Sequence, residues 1–213
     1  MNISIQALSP SYLNSTTCLE SDVWNNHLTF EKGTRYLIDA PSGKGKSTFI
    51  QTLYGIQRNH PGEVFYGQKS LTSFNKEELA LLRQKKLAIV FQDLRLFPEI
   101  SAIENVQLNT NLSQNSQFNT IDDLFERLNI SSLKHRVTKT LSYGEKQRVA
   151  IIRAIAQQFD WIILDEPYAH LDEHNTRCAH ELIQEVAQSL HAGVILTSLG
   201  TNDLIEFDHK LQL

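Results

Sequence analysis

Cysteine is scarce. The chain has two in 213 residues, Cys18 and Cys178. They lie too far apart for any metal-ligand spacing, and reduced cytosolic thiols are the expectation. Long apolar runs are absent too. No stretch approaches the roughly eighteen uninterrupted apolar residues that a membrane span needs. The start, Met1-Asn2-Ile3-Ser4-Ile5, lacks the basic opening and apolar centre of a signal peptide. Positive charge is in deficit: 20 Lys and Arg face 24 Asp and Glu, a net charge of −4. That balance argues against non-specific nucleic-acid binding as the main activity, and no nucleic-acid partner is expected. No internal repeat is visible. What remains, 41% apolar and 21% charged residues, suits one large globular domain or a core with an inserted lobe.

The most informative stretch is Asp39-Ala40-Pro41-Ser42-Gly43-Lys44-Gly45-Lys46-Ser47-Thr48. Tyr36-Leu37-Ile38 precedes it, and Phe49-Ile50 with Leu53-Tyr54 follows, which reads as strand, glycine-rich turn and helix. The spacing matches the phosphate-binding loop G-x-x-x-x-G-K-[ST], with Ala40 in place of the first glycine. Gly43 and Gly45 allow the backbone to curl so that successive N–H groups face phosphate oxygens. The helix that follows offers its positive end to the same anion. Lys46 reaches the β and γ phosphates as a point charge. Ser47 is placed to ligate Mg²⁺.

The rest of the chain supplies alternating strand and helix signals. Ile3–Leu8 and His27–Phe30 alternate as strands, and Val64–Tyr66 is a short third one. Tyr12, after the break at Ser9-Pro10-Ser11, is either a loop aromatic or a core anchor. Asn75–Arg83 has helical composition. Leu87–Phe91 is a buried-strand candidate that delivers Gln92 at its end. Ser101 with Glu104 forms a candidate capping box. Residues 107–120 are rich in Asn, Gln, Ser and Thr and read as a solvated connection. Ile121, Leu124, Phe125 and Leu128 share a helical face. A helix opens near Leu141-Ser142-Tyr143-Gly144-Glu145, where Ser142 and Glu145 also fit a capping box. Another spans about His174–Leu190. Val194–Thr197 is a buried strand ending at Ser198, and Lys210–Leu213 alternates once more.

A second signal matches the phosphate loop. Trp161-Ile162-Ile163-Leu164 runs into Asp165-Glu166-Pro167, which places two carboxylates at the end of a probable parallel strand. Ligands of α/β sheets bind at that edge. Asp165 suits the Mg²⁺ shell, and Glu166 suits a base that orients and deprotonates water for attack on a γ-phosphate.

These motifs, in this order and over essentially the whole length, resemble the nucleotide-binding domain of the ATP-binding cassette family. Ser42–Thr48 is similar to its Walker A loop, Gln92 to its Q-loop glutamine, and Ile162–Glu166 to Walker B with the catalytic glutamate. Leu141–Glu145 resembles the L-S-G-G-Q signature, and Ala169-His170-Leu171-Asp172 the D-loop. The resemblance implies an α/β fold: a P-loop NTPase core with a mainly parallel sheet, an N-terminal antiparallel β subdomain and an inserted α-helical lobe. It implies a single domain, its core at about 1–92 and 159–213 and its helical lobe at about 93–158. ATP and Mg²⁺ are the implied ligands. Ser42, Gly43, Lys44, Gly45, Lys46, Ser47 and Thr48 would hold nucleotide, with Ser142, Gly144 and Glu145 acting from a second copy. Tyr12 is the candidate for stacking on adenine. Ser47, Gln92 and Asp165 would face the metal, and Glu166, Gln92 and Ser198 would serve hydrolysis. Two copies would pack head to tail as a homodimer closed through ATP.

The resemblance further implies a separate membrane permease as partner and a peripheral location on the inner face of the cell membrane. Leu94, Leu96, Phe97 and Ile100 either line a groove for that partner or belong to the core. Compact length looks most like the ATPases of lipoprotein release, antimicrobial efflux or cell division. Four departures stand out: Ala40, Tyr143 at a signature glycine, Glu145 at the signature glutamine, and Ser198 where the family has its switch histidine. A serine hydroxyl is shorter than imidazole and carries no charge. A regulatory or soluble cassette protein with weak hydrolysis is therefore the alternative.

Overall fold

A computed structural model describes residues 1–10, 21–58, 60–110, 120–198 and 206–213. Tyr12 and Cys18 fall outside them. In chain order the described elements are β1 (Ile3–Gln6), β2 (His27–Phe30), β3 (Arg35–Asp39), α1 (Lys46–Leu53), β4 (Glu63–Tyr66) and β5 (Lys69–Ser70). Then come α2 (Lys76–Lys85), β6 (Leu87–Val90), α3 (Ala102–Thr110), α4 (Ile121–Arg127), α5 (Tyr143–Ile155), β7 (Trp161–Asp165), α6 (Glu173–Ser189), β8 (Gly193–Ser198) and β9 (His209–Gln212). None of the described helices is long and apolar enough to cross a membrane.

Two sheets form. One is parallel, in the order β6-β7-β8-β3-β9, and the other antiparallel, in the order β2-β1-β4-β5. Successive side chains of a strand point to opposite faces. The central parallel strands are apolar at nearly every position, so both faces must be covered. On one face Leu37, Ala88, Val90, Ile162, Leu164, Val194 and Leu196 join a cluster with residues of α3, α4, α5 and α6. On the other, Tyr36, Ile38, Leu87, Trp161, Ile163 and Ile195 join α1, α2 and the antiparallel sheet. The sheet thus divides the interior, and helices inserted between β6 and β7 share one core with its first face.

Helix starts follow local chemistry. Asn75–Glu78, Thr120–Asp123 and Ser142–Glu145 form reciprocal capping boxes at α2, α4 and α5. Ser101 and Glu104 meet in the same way before α3, with Ser101 N donating to Glu104 Oε2 at 2.8 Å. Each such side chain satisfies an N–H that has no partner within the helix.

Candidate functional site

Register decides which residues meet. In the parallel sheet Asp39 lies opposite Ser198, Asp165 opposite Thr197, and Val90 opposite Leu164. Parallel strands end on the same side. The loop after Asp39, the turn at Gln92, the acidic pair and Ser198 therefore share one edge, the carboxyl edge where α/β sheets take their ligands.

The loop from Ala40 to Gly45 turns through two left-handed glycines, Gly43 at φ 81° and Gly45 at φ 97°. A Cβ at Gly43 would meet nothing within 4 Å. Backbone conformation, not space, requires glycine there. Gly45 is the N-cap of α1. Trp24, buried in the core below, donates its indole N–H to Lys44 O at 3.4 Å and braces the loop. Ser42 is exposed on the loop, and Thr48 lies in the first turn of α1. The Lys46 side chain is only 5% exposed. Its ammonium donates to Ala40 O at 2.7 Å and Pro41 O at 3.2 Å, and lies 3.4 Å from Glu166 Oε1.

A chain of side-chain contacts continues from the loop. Ser47 Oγ donates to Gln92 Oε1 at 3.2 Å, and Gln92 Nε2 reaches Glu166 Oε2 at 3.5 Å. Asp165 is buried, and its Oδ1 accepts from Thr197 Oγ1 at 2.8 Å. Burial pushes its carboxyl above the usual range, while bonds from Thr197 and Ser47 pull it back. Hydroxyl, amide oxygen and carboxylate converge here from Ser47, Gln92 and Asp165. That hard oxygen set fits Mg²⁺, which takes few protein ligands and completes its shell with water and phosphate. Thr197 does double duty, since Glu166 N also donates to its Oγ1 at 3.2 Å. Ser198 ends β8 beside this group, half-buried, and its carbonyl accepts from Ala40 N at 3.4 Å.

Ser142, Gly144 and Glu145 form a second group at the start of α5. Ser142 N donates to Glu145 Oε2 at 2.7 Å and Glu145 N to Ser142 Oγ at 3.3 Å. The bond from Ser142 N, with a smaller contribution from the Ser142 hydroxyl, holds the Glu145 carboxyl below its ordinary range. The box leaves the first-turn amides of Tyr143 and Gly144 unused for an anion. A Cβ on Gly144 would lie 2.9 Å from His170 O, so helix start and loop touch there. Tyr143 connects the two groups, its hydroxyl donating to Gln92 O at 2.7 Å.

The segment after Gln92 is bent by Leu94 and Arg95, both left-handed at φ 58° and 47°. Arg153, from α5, holds that bend by donating to Leu94 O and Arg95 O at 2.6 Å each. Of the four apolar candidates nearby, Leu94 is core, Leu96 and Ile100 are half-buried, and Phe97 is 58% exposed. Sequence reading missed Trp24, Gln147, Arg153 and Thr197. Thr197 alone left a signal, a polar residue closing an otherwise apolar strand.

The profile of a known family, described as ABC transporter, matches residues 23–169. The chain belongs to the ABC transporter family. It is 33% identical over 174 residues to the lipoprotein-releasing system ATP-binding protein LolD of Buchnera aphidicola, covering 80% of this chain and 76% of that one. With LolD of Saccharophagus degradans it shares 31% over 182 residues, 84% of this chain and 78% of that one. Its fold matches the dimeric structure of a bacterial ABC transporter cassette with TM-score 0.83 and 23% identity, over 99% of this chain and 94% of that chain. Within this ABC chain the departures have visible surroundings. Ala40 is buried, with its backbone outside the left-handed region, so a methyl is accommodated. The Tyr143 ring packs edge-on against His170 at 4.2 Å. It is turned back onto its own chain.

Proposed function

We propose that this ABC chain is the ATP-binding subunit of a transporter, hydrolysing ATP with Glu166 as base to drive a separate membrane permease. The observation that carries the reading is the contact chain Lys46–Glu166–Gln92–Ser47 at the carboxyl edge, one residue from buried Asp165. The loop amides and Lys46 bind the β and γ phosphates. Ser47, Gln92 and Asp165 would hold Mg²⁺, which would neutralise charge on the phosphate oxygens. Phosphate competes for the Lys46 ammonium against Glu166. Glu166 then takes a proton from water as the water oxygen bonds to the γ-phosphorus and the bond to the ADP oxygen breaks.

Tyr143 and Gly144 amides of a second copy complete the γ-phosphate site, so ATP closes a head-to-tail homodimer. Phe97 stands exposed on a braced loop and suits contact with the permease, and such contact supports the reading of a peripheral location on the inner membrane face. Lipoprotein release is the process that similarity to LolD favours. Ser198 at the switch position supports a second reading, a cassette with weak hydrolysis serving regulation.

Glu166→Gln tests the main reading. Turnover should fall by about 10²–10⁴-fold, the range for a general base. ATP-dependent dimers should persist on size-exclusion chromatography. Wild-type turnover in this variant would remove Glu166 from the chemistry.

A further inference from the structure

The first two turns of α5 aim two side chains at the hydrolysis residues. Tyr143 and Gln147 are four apart and share a helix face. The Tyr143 hydroxyl donates to Gln92 O at 2.7 Å, and Gln147 Nε2 donates to Glu166 O at 3.2 Å. These are main-chain carbonyls of the two residues whose side chains meet at 3.5 Å. Glu166 sits at φ 49°, a region that a residue with a Cβ adopts only where its surroundings enforce it. Thr197 Oγ1 holds the peptide before its Cα, and Gln147 holds the peptide after it. Together they set the direction in which the carboxylate leaves the backbone.

Gln147 is 2% exposed, and its Oε1 has no hydrogen-bond partner among the described residues. A buried acceptor left so is destabilising, a penalty that an apolar side chain of the same shape would avoid. Packing alone does not favour an amide here. Its donor on Glu166 does.

We infer that the side chains of Tyr143 and Gln147 position Gln92 and Glu166 for hydrolysis, fixing them through their backbone carbonyls without themselves touching nucleotide. The inference rests on Glu166 being the base. It also makes one helix start serve two sites: its tip faces a second copy's phosphate, and its side aims this chain's own carboxylate.

The test is steady-state ATPase kinetics of the full chain carrying Tyr143→Phe, Gln147→Met, Gln147→Glu or Glu166→Gln, with ATP affinity and melting temperature measured alongside. Tyr143→Phe and Gln147→Met should each lower kcat about 10- to 100-fold, the scale of a misplaced catalytic group. KM and ATP affinity should move less than about threefold, because the phosphate loop is untouched. Gln147→Glu supplies a second readout. Its carboxyl donates to Glu166 O only when protonated, and burial raises carboxyl pKa values. Its turnover relative to wild type should therefore rise as pH falls from about 8 to about 6, a trend that Gln147→Met should not show. Unchanged kcat in folded Tyr143→Phe and Gln147→Met, with Glu166→Gln inactive, overturns the positioning inference alone. Full activity of Glu166→Gln overturns it together with the reading beneath it.

Discussion

The Lys46 side chain is 5% exposed, and its ammonium contacts two main-chain carbonyls and the Glu166 carboxylate. Removing it strips two charge-assisted contacts from the phosphates, each worth about 1.5–3 kcal/mol. Lys46→Ala should weaken ATP binding about 100-fold or more, measured by calorimetric titration. Unchanged affinity would remove the loop from nucleotide binding. Ser198 poses the opposite question. It stands across from Asp39, beside the loop, with a short uncharged hydroxyl. A histidine there reaches further and adds a hydrogen bond to charged phosphate. Ser198→His should raise basal turnover about 10-fold. A fall instead would mean that the site is built around serine. His170, in the loop after Glu166, is exposed and packed on Tyr143, so His170→Ala should report on that ring contact. At this scale the sequence was readable where a motif fixes its own backbone, as from Gly43 to Ser47 or at Asp165-Glu166. Thr197 left only the signal of a polar residue closing an apolar strand, and Gln147 left none, because its partner, Glu166, follows a strand of the sheet and no local spacing links the two.

Asn105 shows what one side chain does for an element. Fully buried on α3, it accepts from Phe97 N at 2.8 Å and donates to Phe97 O, Ser101 O and Thr138 Oγ1 at 3.0, 3.1 and 2.9 Å. It ties the loop carrying Phe97 to the helix and to the segment before α5. Asn105→Ala leaves several of these groups buried without partners, at about 1–3 kcal/mol each. Stability should drop by about 3 kcal/mol in chemical denaturation. Phe97→Ser, by contrast, removes an exposed ring. It should leave melting temperature and basal ATPase unchanged while weakening co-purification with the permease. Equal permease binding would take Phe97 out of the interface. Capping chemistry made helix starts legible, because Ser142 and Glu145 are three residues apart wherever the helix goes. The same rule finds Asn75–Glu78. The fate of Leu94, Leu96, Phe97 and Ile100 was not legible. Four apolar residues around a bend share no period, and the bend that separates buried Leu94 from exposed Phe97 is held by Arg153 on Leu94 O and Arg95 O and by Asn105 on Phe97.

For the whole molecule, apolar runs announce the central strands but not their neighbours. The order β6-β7-β8-β3-β9 puts Trp161–Asp165 and Gly193–Ser198 inside the sheet, where both faces are covered; family likeness implied a mainly parallel sheet, but no strand order. One histidine reports on how tightly the layers close. His180 on α6 lies half-buried between Tyr168, which follows β7, and Phe207, which precedes β9, with ring centroids 6.2 and 6.3 Å away. Tyr168 Oη sits 3.3 Å from its Nδ1. Burial first, and the Arg35 charge second, push the imidazole down to about 4. Above the ordinary histidine value near 6.5 both folded and unfolded chains hold it neutral, and it contributes no pH dependence. Between about 6.5 and 4 the unfolded chain takes the proton and the folded chain does not, so stability falls as pH falls. Below about 4 both are protonated, and the loss stays constant. Partial exposure limits the effect to about 2 kcal/mol. His180→Gln keeps an acceptor for Tyr168 and does not titrate. Urea unfolding from pH 7 to 4 should show wild type losing about 2 kcal/mol more than this variant, with nearly all of the gap opening below pH 6.5. Parallel curves would mean that the imidazole is as hydrated in the folded chain as in the unfolded one, and that the layers around α6 are looser than the contacts with Tyr168 and Phe207 imply.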